Sequence, residues 1–277
     1  MADQKIAVIT GATAGLGQFV ALGLARAGYH TVIVARDATR GEALRQHIAT
    51  QARGASTELV LADLSSLDQT RRAGEAIAAA HPRIDVLVNN AGLITPHRQV
   101  TAEGHEMILA VNHLAPFVLT SALESALRAG APSRVVNVGS TASDRANMDV
   151  TDLELVRGWW AMRAYCRSKL ALMMATFERA RRLAGTGVAV NVVHPGLVAT
   201  AIGGVAGPVG WGWAALRPLM ITPEQGADTP LHMALSPMVE GMTGTYIKRR
   251  RPARPNRLAL DTTLVRRLWF ETERLIG

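Results

Sequence analysis

Apolar residues in this chain fall into two alternating kinds of run. Short, nearly continuous stretches of Val, Ile and Leu occupy residues 6–10, 31–35, 58–62, 84–89, 134–139 and 188–193. They lack the in–out alternation of a half-exposed strand, which predicts strands covered on both faces, as in a parallel sheet. Between them, residues 16–28, 38–53, 66–81, 103–129 and 162–184 space their apolar side chains at helical intervals. This rhythm predicts an α/β fold: one doubly wound domain over residues 1–277, with a parallel sheet of about seven strands and helices on both faces. No repeat, low-complexity tract or linker marks a second domain.

Two segments break the rhythm. Residues 201–221 are apolar, poorly periodic and rich in glycine and tryptophan, with Trp211 and Trp213 near the middle. A connection of that length reads as a functional loop that closes over a substrate. Residues 262–276 space Leu264, Val265, Leu268, Trp269, Leu275 and Ile276 as a short amphipathic terminal helix.

Composition changes the picture only a little. A single cysteine, Cys166, excludes an internal disulfide and reads as a packing residue. The formal charge of +8 suggests nucleic acid until it is mapped. Residues 248–277 hold nine Lys/Arg against three acids, so this tail carries +6 and the body is close to neutral. The tail is expected to be solvated or dimer-facing, with a membrane surface as the less favoured partner and no nucleic acid. No charged leader with an apolar core precedes the first strand, and no uncharged apolar run reaches membrane length. A cytoplasmic enzyme is expected.

The chemistry concentrates in Tyr165-Cys166-Arg167-Ser168-Lys169, which puts a phenol and an ammonium on one helical face. A free tyrosine titrates near about 10, and a neighbouring cation favours its phenolate, moving it toward acid–base use. Upstream, Thr10-Gly11-Ala12-Thr13-Ala14-Gly15-Leu16-Gly17 follows the first strand and opens the first helix. Glycines there let backbone approach a pyrophosphate at the helix N-terminus, which nominates Gly11, Thr13, Ala14, Gly15, Leu16 and Gly17. The second strand ends in Val34-Ala35-Arg36-Asp37. Arg36 suits a ribose 2′-phosphate, so NADP(H) is preferred, while Asp37 keeps NAD(H) possible. Asp63 and Leu64 are expected to flank the adenine. Asn89-Asn90-Ala91-Gly92 is expected to line the cofactor channel, through Asn89, Ala91 and Gly92.

With these residues in view, the chain resembles the short-chain dehydrogenase/reductase family over nearly its whole length. It is most similar to the branch of retinol dehydrogenases and WW-domain-containing oxidoreductases. Asp63-Leu64-Ser65-Ser66-Leu67, Val111-Asn112-His113-Leu114, Arg134-Val135-Val136-Asn137-Val138-Gly139-Ser140, the Tyr165–Leu170 stretch and His194-Pro195-Gly196-Leu197-Val198-Ala199-Thr200 carry the likeness, with Leu268-Trp269. The resemblance implies a Rossmann-type fold and a catalytic tetrad of Asn112, Ser140, Tyr165 and Lys169, with no metal. Tyr165 would exchange a proton with the substrate oxygen, and Ser140 would polarise that oxygen. Lys169 would lower the Tyr165 pKa and bond the nicotinamide ribose, while Asn112 would hold a water in a proton relay. Pro195, Gly196, Val198 and Thr200 would contact the nicotinamide side, with Tyr165 and Lys169.

Some positions depart from the family pattern. Ala14 stands where relatives often carry a hydroxyl beside the phosphates, and Gly139 leaves Ser140 as the sole serine. The gap from Ser140 to Tyr165 is long, so residues 147–160 must form a loop or short helix over the site. Trp159 and Trp160 are open to two readings, pocket wall or core. His194 reads as a structural strand-end residue. The expected activity is hydride transfer between a carbonyl and an apolar, secondary alcohol; the alternative is a catalytically silent NADP-binding sensor or scaffold. A homodimer or homotetramer through residues 103–129 and 162–184 is open, with Met173, Met174 and Phe177 either at that interface or in the core.

Overall fold

The computed structural model describes residues 4–198 and 220–277. The strands are β1 (Ile6–Thr10), β2 (His30–Ala35), β3 (Thr57–Leu61), β4 (Val86–Asn89), β5 (Ser133–Val138), β6 (Val188–His194), β7 (Tyr246–Lys248) and β8 (Arg251–Pro252). They form one eight-stranded sheet in the order β3-β2-β1-β4-β5-β6-β7-β8. All pairings are parallel except β7 with β8, a short antiparallel edge that the apolar pattern did not announce. Because β1 lies between β2 and β4, the winding reverses there and opens a crevice at the strands' carboxyl ends.

The missing alternation in the strands has a direct cause. Ala7 and Ile9 of β1, with Ile33, Val86, Val88 and Val136, face one layer packed on helices α1 (Leu16–Arg26) and α2 (Ala38–Gln51). Val8, Val32, Leu87 and Val135 face the opposite layer, built with α3 (Leu67–Ala80) and its neighbours. Each Val, Leu or Ile among them, fully buried, contributes about 1.5–3 kcal/mol relative to exposure.

The stretch expected as one helix over 103–129 is four pieces: α4 (Met107–Leu109), a π-helical turn (Ala110–Leu114), α5 (Ala115–Ala122) and α6 (Glu124–Ala129). The Glu106 carboxylate caps its start by accepting from Leu109 N–H at 2.7 Å. The long helix α7 (Ala161–Arg182) is buried along most of its length. Met173, Met174 and Phe177 are covered by this chain itself, so they are core. Helix α8 (Pro223–Leu235) starts with a capping box in which Thr222 and Gln225 satisfy each other's backbone N–H groups. The terminal helix α9 spans Thr262–Ile276, as the spacing predicted. Among the described residues, no helix is long and apolar enough to cross a membrane.

The basic tail is partly neutralised within the fold. Lys248 pairs with Asp144 and Arg250 with Asp228, while Arg274 meets Glu271.

Candidate active site

A cleft of about 530 Å³ lies along the carboxyl ends of the strands at the winding reversal. One end is formed by Arg36, Asp37 and Arg40, the middle by the glycine turn, and the other end by Ser140, Tyr165 and Lys169. Gly11, Thr13, Ala14, Gly15, Leu16, Gly17, Asp63, Leu64, Ala91, Gly92, Pro195, Gly196 and Val198 all line it. Thr200 and the loop tryptophans Trp211 and Trp213 lie outside the described residues.

The glycine turn is built for close approach. Gly11 sits at φ +66°, and a Cβ there would come within 2.6 Å of Ala91 Cα. At Gly17 a Cβ would meet the Gly11 carbonyl at 2.4 Å. Thr10 Oγ1 accepts from Asn90 N–H and Ala91 N–H, both at 3.1 Å. In return the Asn90 side-chain amide donates to the carbonyls of Thr10 and Gly11, at 3.0 and 2.9 Å. These bonds lock the turn against the end of β4. No side chain caps the N-terminus of α1 and no acid stands in its first turn, so its N–H groups open onto the cleft.

One candidate requires correction. Asn89 does not line the cleft: it is buried, and its amide donates to Thr120 Oγ1 at 3.1 Å and Asn137 Oδ1 at 2.8 Å. It shares the inward parity of Leu87, two residues back on β4, so strand alternation already assigned it to the core face. Asn90, the next residue of the same segment, lines the cleft instead. Asn112 also stands behind the wall. Its Oδ1 accepts from Leu93 N–H at 2.8 Å, and its Nδ2 donates to the Leu93 carbonyl and to Ser168 Oγ, both at 3.0 Å. The amide therefore pins the 91–93 segment to α7, and its Oδ1 lies beside Gly92 together with Lys169 Nζ.

The three remaining polar groups converge. Ser140 follows the end of β5 by two residues, caps the next turn by accepting from Ala142 N–H at 3.2 Å, and lines the cleft with the Tyr165 phenol. Lys169 Nζ donates to the Val138 carbonyl at 2.9 Å. Burial pushes Lys169 down to about 8. Burial pushes the Tyr165 phenol up, and the opposing influence comes from Ser140 rather than Lys169. The expected depression of the phenol by the ammonium is thus not a property of this state, because desolvation of a phenolate outweighs it. The phenol holds its proton at neutral pH.

Arg40 was missed by sequence reading. It stands in the first turn of α2, four residues after Arg36, lines the same end of the cleft, and donates to the Thr13 carbonyl at 3.0 Å. Asp37 is occupied otherwise: it caps α2, accepting from Arg40 N–H at 3.0 Å. The segment between Ser140 and Tyr165 contains a 3₁₀ turn at Val150–Asp152 and is fastened to the start of α4. Glu154 accepts from the Glu106 N–H and lies 2.9 Å from His105 Nδ1, while the Trp159 indole donates to Glu106 at 3.1 Å. Trp159 packs in the apolar cluster around Tyr165, whereas Trp160 is exposed. His194 is pushed down to about 4 by burial and stays neutral.

The family described as short chain dehydrogenase matches residues 5–207. The chain belongs to this short-chain dehydrogenase family. Human retinol dehydrogenase 13 is 35% identical to it over 280 positions, covering 99% of this chain and 85% of that protein. Retinol dehydrogenase 14 of Mus musculus is 37% identical over 292 positions, covering 99% and 86%. Among solved structures, an uncharacterised protein of Mycobacterium paratuberculosis superposes with a TM-score of 0.79 at 28% identity, covering 99% of this chain and 93% of that one. The NADP active-site complex of Pseudomonas aeruginosa RhlG gives 0.71 at 28% identity, covering 88% and 94%. This short-chain dehydrogenase is an NAD(P)-dependent carbonyl/alcohol oxidoreductase of the retinol dehydrogenase-like branch.

The residues present fit such a dinucleotide. The glycine cradle would be filled by any Cβ, and the uncapped α1 terminus suits a pyrophosphate. Two guanidinium groups stand at one end, and at the other His194 keeps its Nδ1 without a partner among the described residues.

Proposed function

We propose that this enzyme prefers NADP(H) and interconverts an apolar carbonyl compound and its alcohol, with Tyr165 as the acid and base. The observation that carries the cofactor preference is the pairing of Arg36 and Arg40 at one end of the cleft while Asp37 is engaged as a helix cap. Two guanidinium groups match a phosphate, whereas Asp37 has one carboxylate oxygen taken by the helix cap and only the other left for a ribose hydroxyl.

The bound cofactor supplies or accepts the hydride. In reduction, the Tyr165 phenol donates its proton to the substrate oxygen as charge develops there. Ser140 donates a hydrogen bond to the same oxygen and steadies it. Lys169, positively charged below about pH 8, favours the phenolate left behind. Gly92 leaves room for this ammonium; a Cβ there would stand 3.1 Å from Nζ. Asn112 holds the Gly92 wall in place through Leu93. In oxidation the proton moves the other way. An apolar substrate is supported by Leu93 on the cleft wall, in the same cluster as Tyr165, and by the names of the retinol dehydrogenase relatives.

Assaying NADPH and NADH against a panel of apolar aldehydes and ketones, retinal included, tests the proposal. Arg36→Ala and Arg40→Ala are each expected to raise the KM for NADPH by about 10- to 100-fold, the worth of a charged hydrogen bond, and to change that for NADH little. Equal losses with both cofactors would overturn the preference. Tight cofactor binding without turnover on the whole panel would favour the silent sensor instead.

A further inference from the structure

At the amino-terminal ends of the strands, away from the cleft, three side chains of metal-ligating type converge. His30 opens β2, Glu58 is the second residue of β3, and His81 follows the last turn of α3. Their ligand atoms all lie within 4.8 Å of one another. Glu58 Oε2 is 2.7 Å from His81 Nε2 and 3.4 Å from His30 Nε2. The two imidazole planes are inclined by 42° with centroids 5.2 Å apart, so the rings converge instead of stacking.

We infer that His30, Glu58 and His81 form a binding site for a divalent transition-metal ion of zinc type, separate from the catalytic cleft. Two imidazoles and one carboxylate are the donor set that borderline ions such as Zn²⁺ take, leaving a fourth position for water. Bonds of about 2.0–2.1 Å in a tetrahedron put neighbouring ligand atoms about 3.3–3.4 Å apart. The His30–Glu58 separation of 3.4 Å already meets that, and the 2.7 Å His81–Glu58 contact needs only a side-chain rotation to open. His30 also has its outer support: its Nδ1 lies 2.7 Å from Ser56 Oγ, which orients the ring with Nε2 toward the carboxylate. The Glu58 carboxylate is partly open to solvent, so an ion can enter. Among the described residues no lysine or arginine forms an ion pair with it.

The ion would tie edge strand β3 and the end of α3 to β2. The whole length of β2, about 20 Å, separates it from the Arg36 end of the cleft. Its effect is therefore on stability, with kcat unaltered.

The test uses untagged enzyme stripped with a chelator and titrated with Zn²⁺ in a calorimeter, with Tm followed in parallel. One equivalent is expected to bind, raising Tm by about 5 °C or more at a hundredfold excess over Kd. His81→Ala and Glu58→Gln are expected to lose that equivalent, and Ser56→Ala to weaken it by about tenfold or more. If those variants do not fold, Zn²⁺ shielding of His30 and His81 in the native enzyme from an acylating reagent, read by peptide mass spectrometry, supplies the same answer. No saturable uptake, uptake unaltered by the substitutions, or shielding confined to other histidines would overturn the site and leave the trio a hydrogen-bonded contact.

Discussion

Tyr165 is a phenol whose burial keeps it protonated, and Lys169 is a cation whose burial makes it easy to discharge. Replacing Tyr165 with Phe removes the donor and leaves the cleft shape intact. It is expected to lower kcat by at least about 100-fold with nearly unchanged cofactor affinity, measured by stopped-flow and equilibrium binding. The Lys169 ammonium is fully present below its depressed pKa of about 8 and disappears above it. In the reductive direction kcat/KM should be flat below that value and fall by about tenfold per pH unit above it. Stability moves oppositely: an unfolded lysine still binds its proton between 8 and about 10.5, so the folded state gains as pH rises through that window. Lys169→Met should therefore lose activity while melting at or above the temperature of the native enzyme.

At the scale of elements, α9 is the strongest test of packing. Trp269 lies against Phe117, with ring centroids 4.5 Å apart, and both rings meet the Arg179 guanidinium. Thr272 Oγ1 is 2.8 Å from His113 Nε2, deep under the helix. Removing residues 261–277 strips cover from α5 and α7, and a drop in Tm of more than about 10 °C is expected by scanning calorimetry, with loss of several buried large side chains. This helix was legible because its apolar spacing is strictly helical. So were the six longer strands, because they are covered on both faces. β7 and β8 were not: they are short, and β8 is Arg251-Pro252, whose pairing depends on tertiary placement and not on pattern. The break of the 103–129 stretch into a π turn escaped for the same reason, since Asn112 is drawn inward by Leu93 and Ser168. In the cleft, the glycine turn, Ser140, Tyr165 and Lys169 could be read from the motifs. Arg40 became visible only in the fold, where the first turn of α2 meets the Thr13 carbonyl, and the parity of β4 is what separates Asn90 in the cleft from the buried Asn89.

For the whole molecule, buried neutral imidazoles set the acid limit. His113 is held down to about 3 and His194 to about 4, both chiefly by burial. An unfolded histidine takes its proton near about 6.5, so below that pH the unfolded chain binds protons the native state refuses. Stability is thus complete above about 6.5 and falls with acidification, by about 1.4 kcal/mol per pH unit for each histidine. Thermal melts between pH 7.5 and 5 should show a steep decline, and His113→Gln should flatten it by about half. A last consequence comes from the amide of Asn89 donating to Asn137 on the adjacent strand, with Asn137 in turn bonded to Thr176 on α7 at 2.8 Å. Sliding β4 along β5 by a single residue would turn one amide into the hydrocarbon layer against α1 and strand the other. Each stranded group costs about 1–3 kcal/mol, so these two asparagines proofread strand alignment while the sheet assembles.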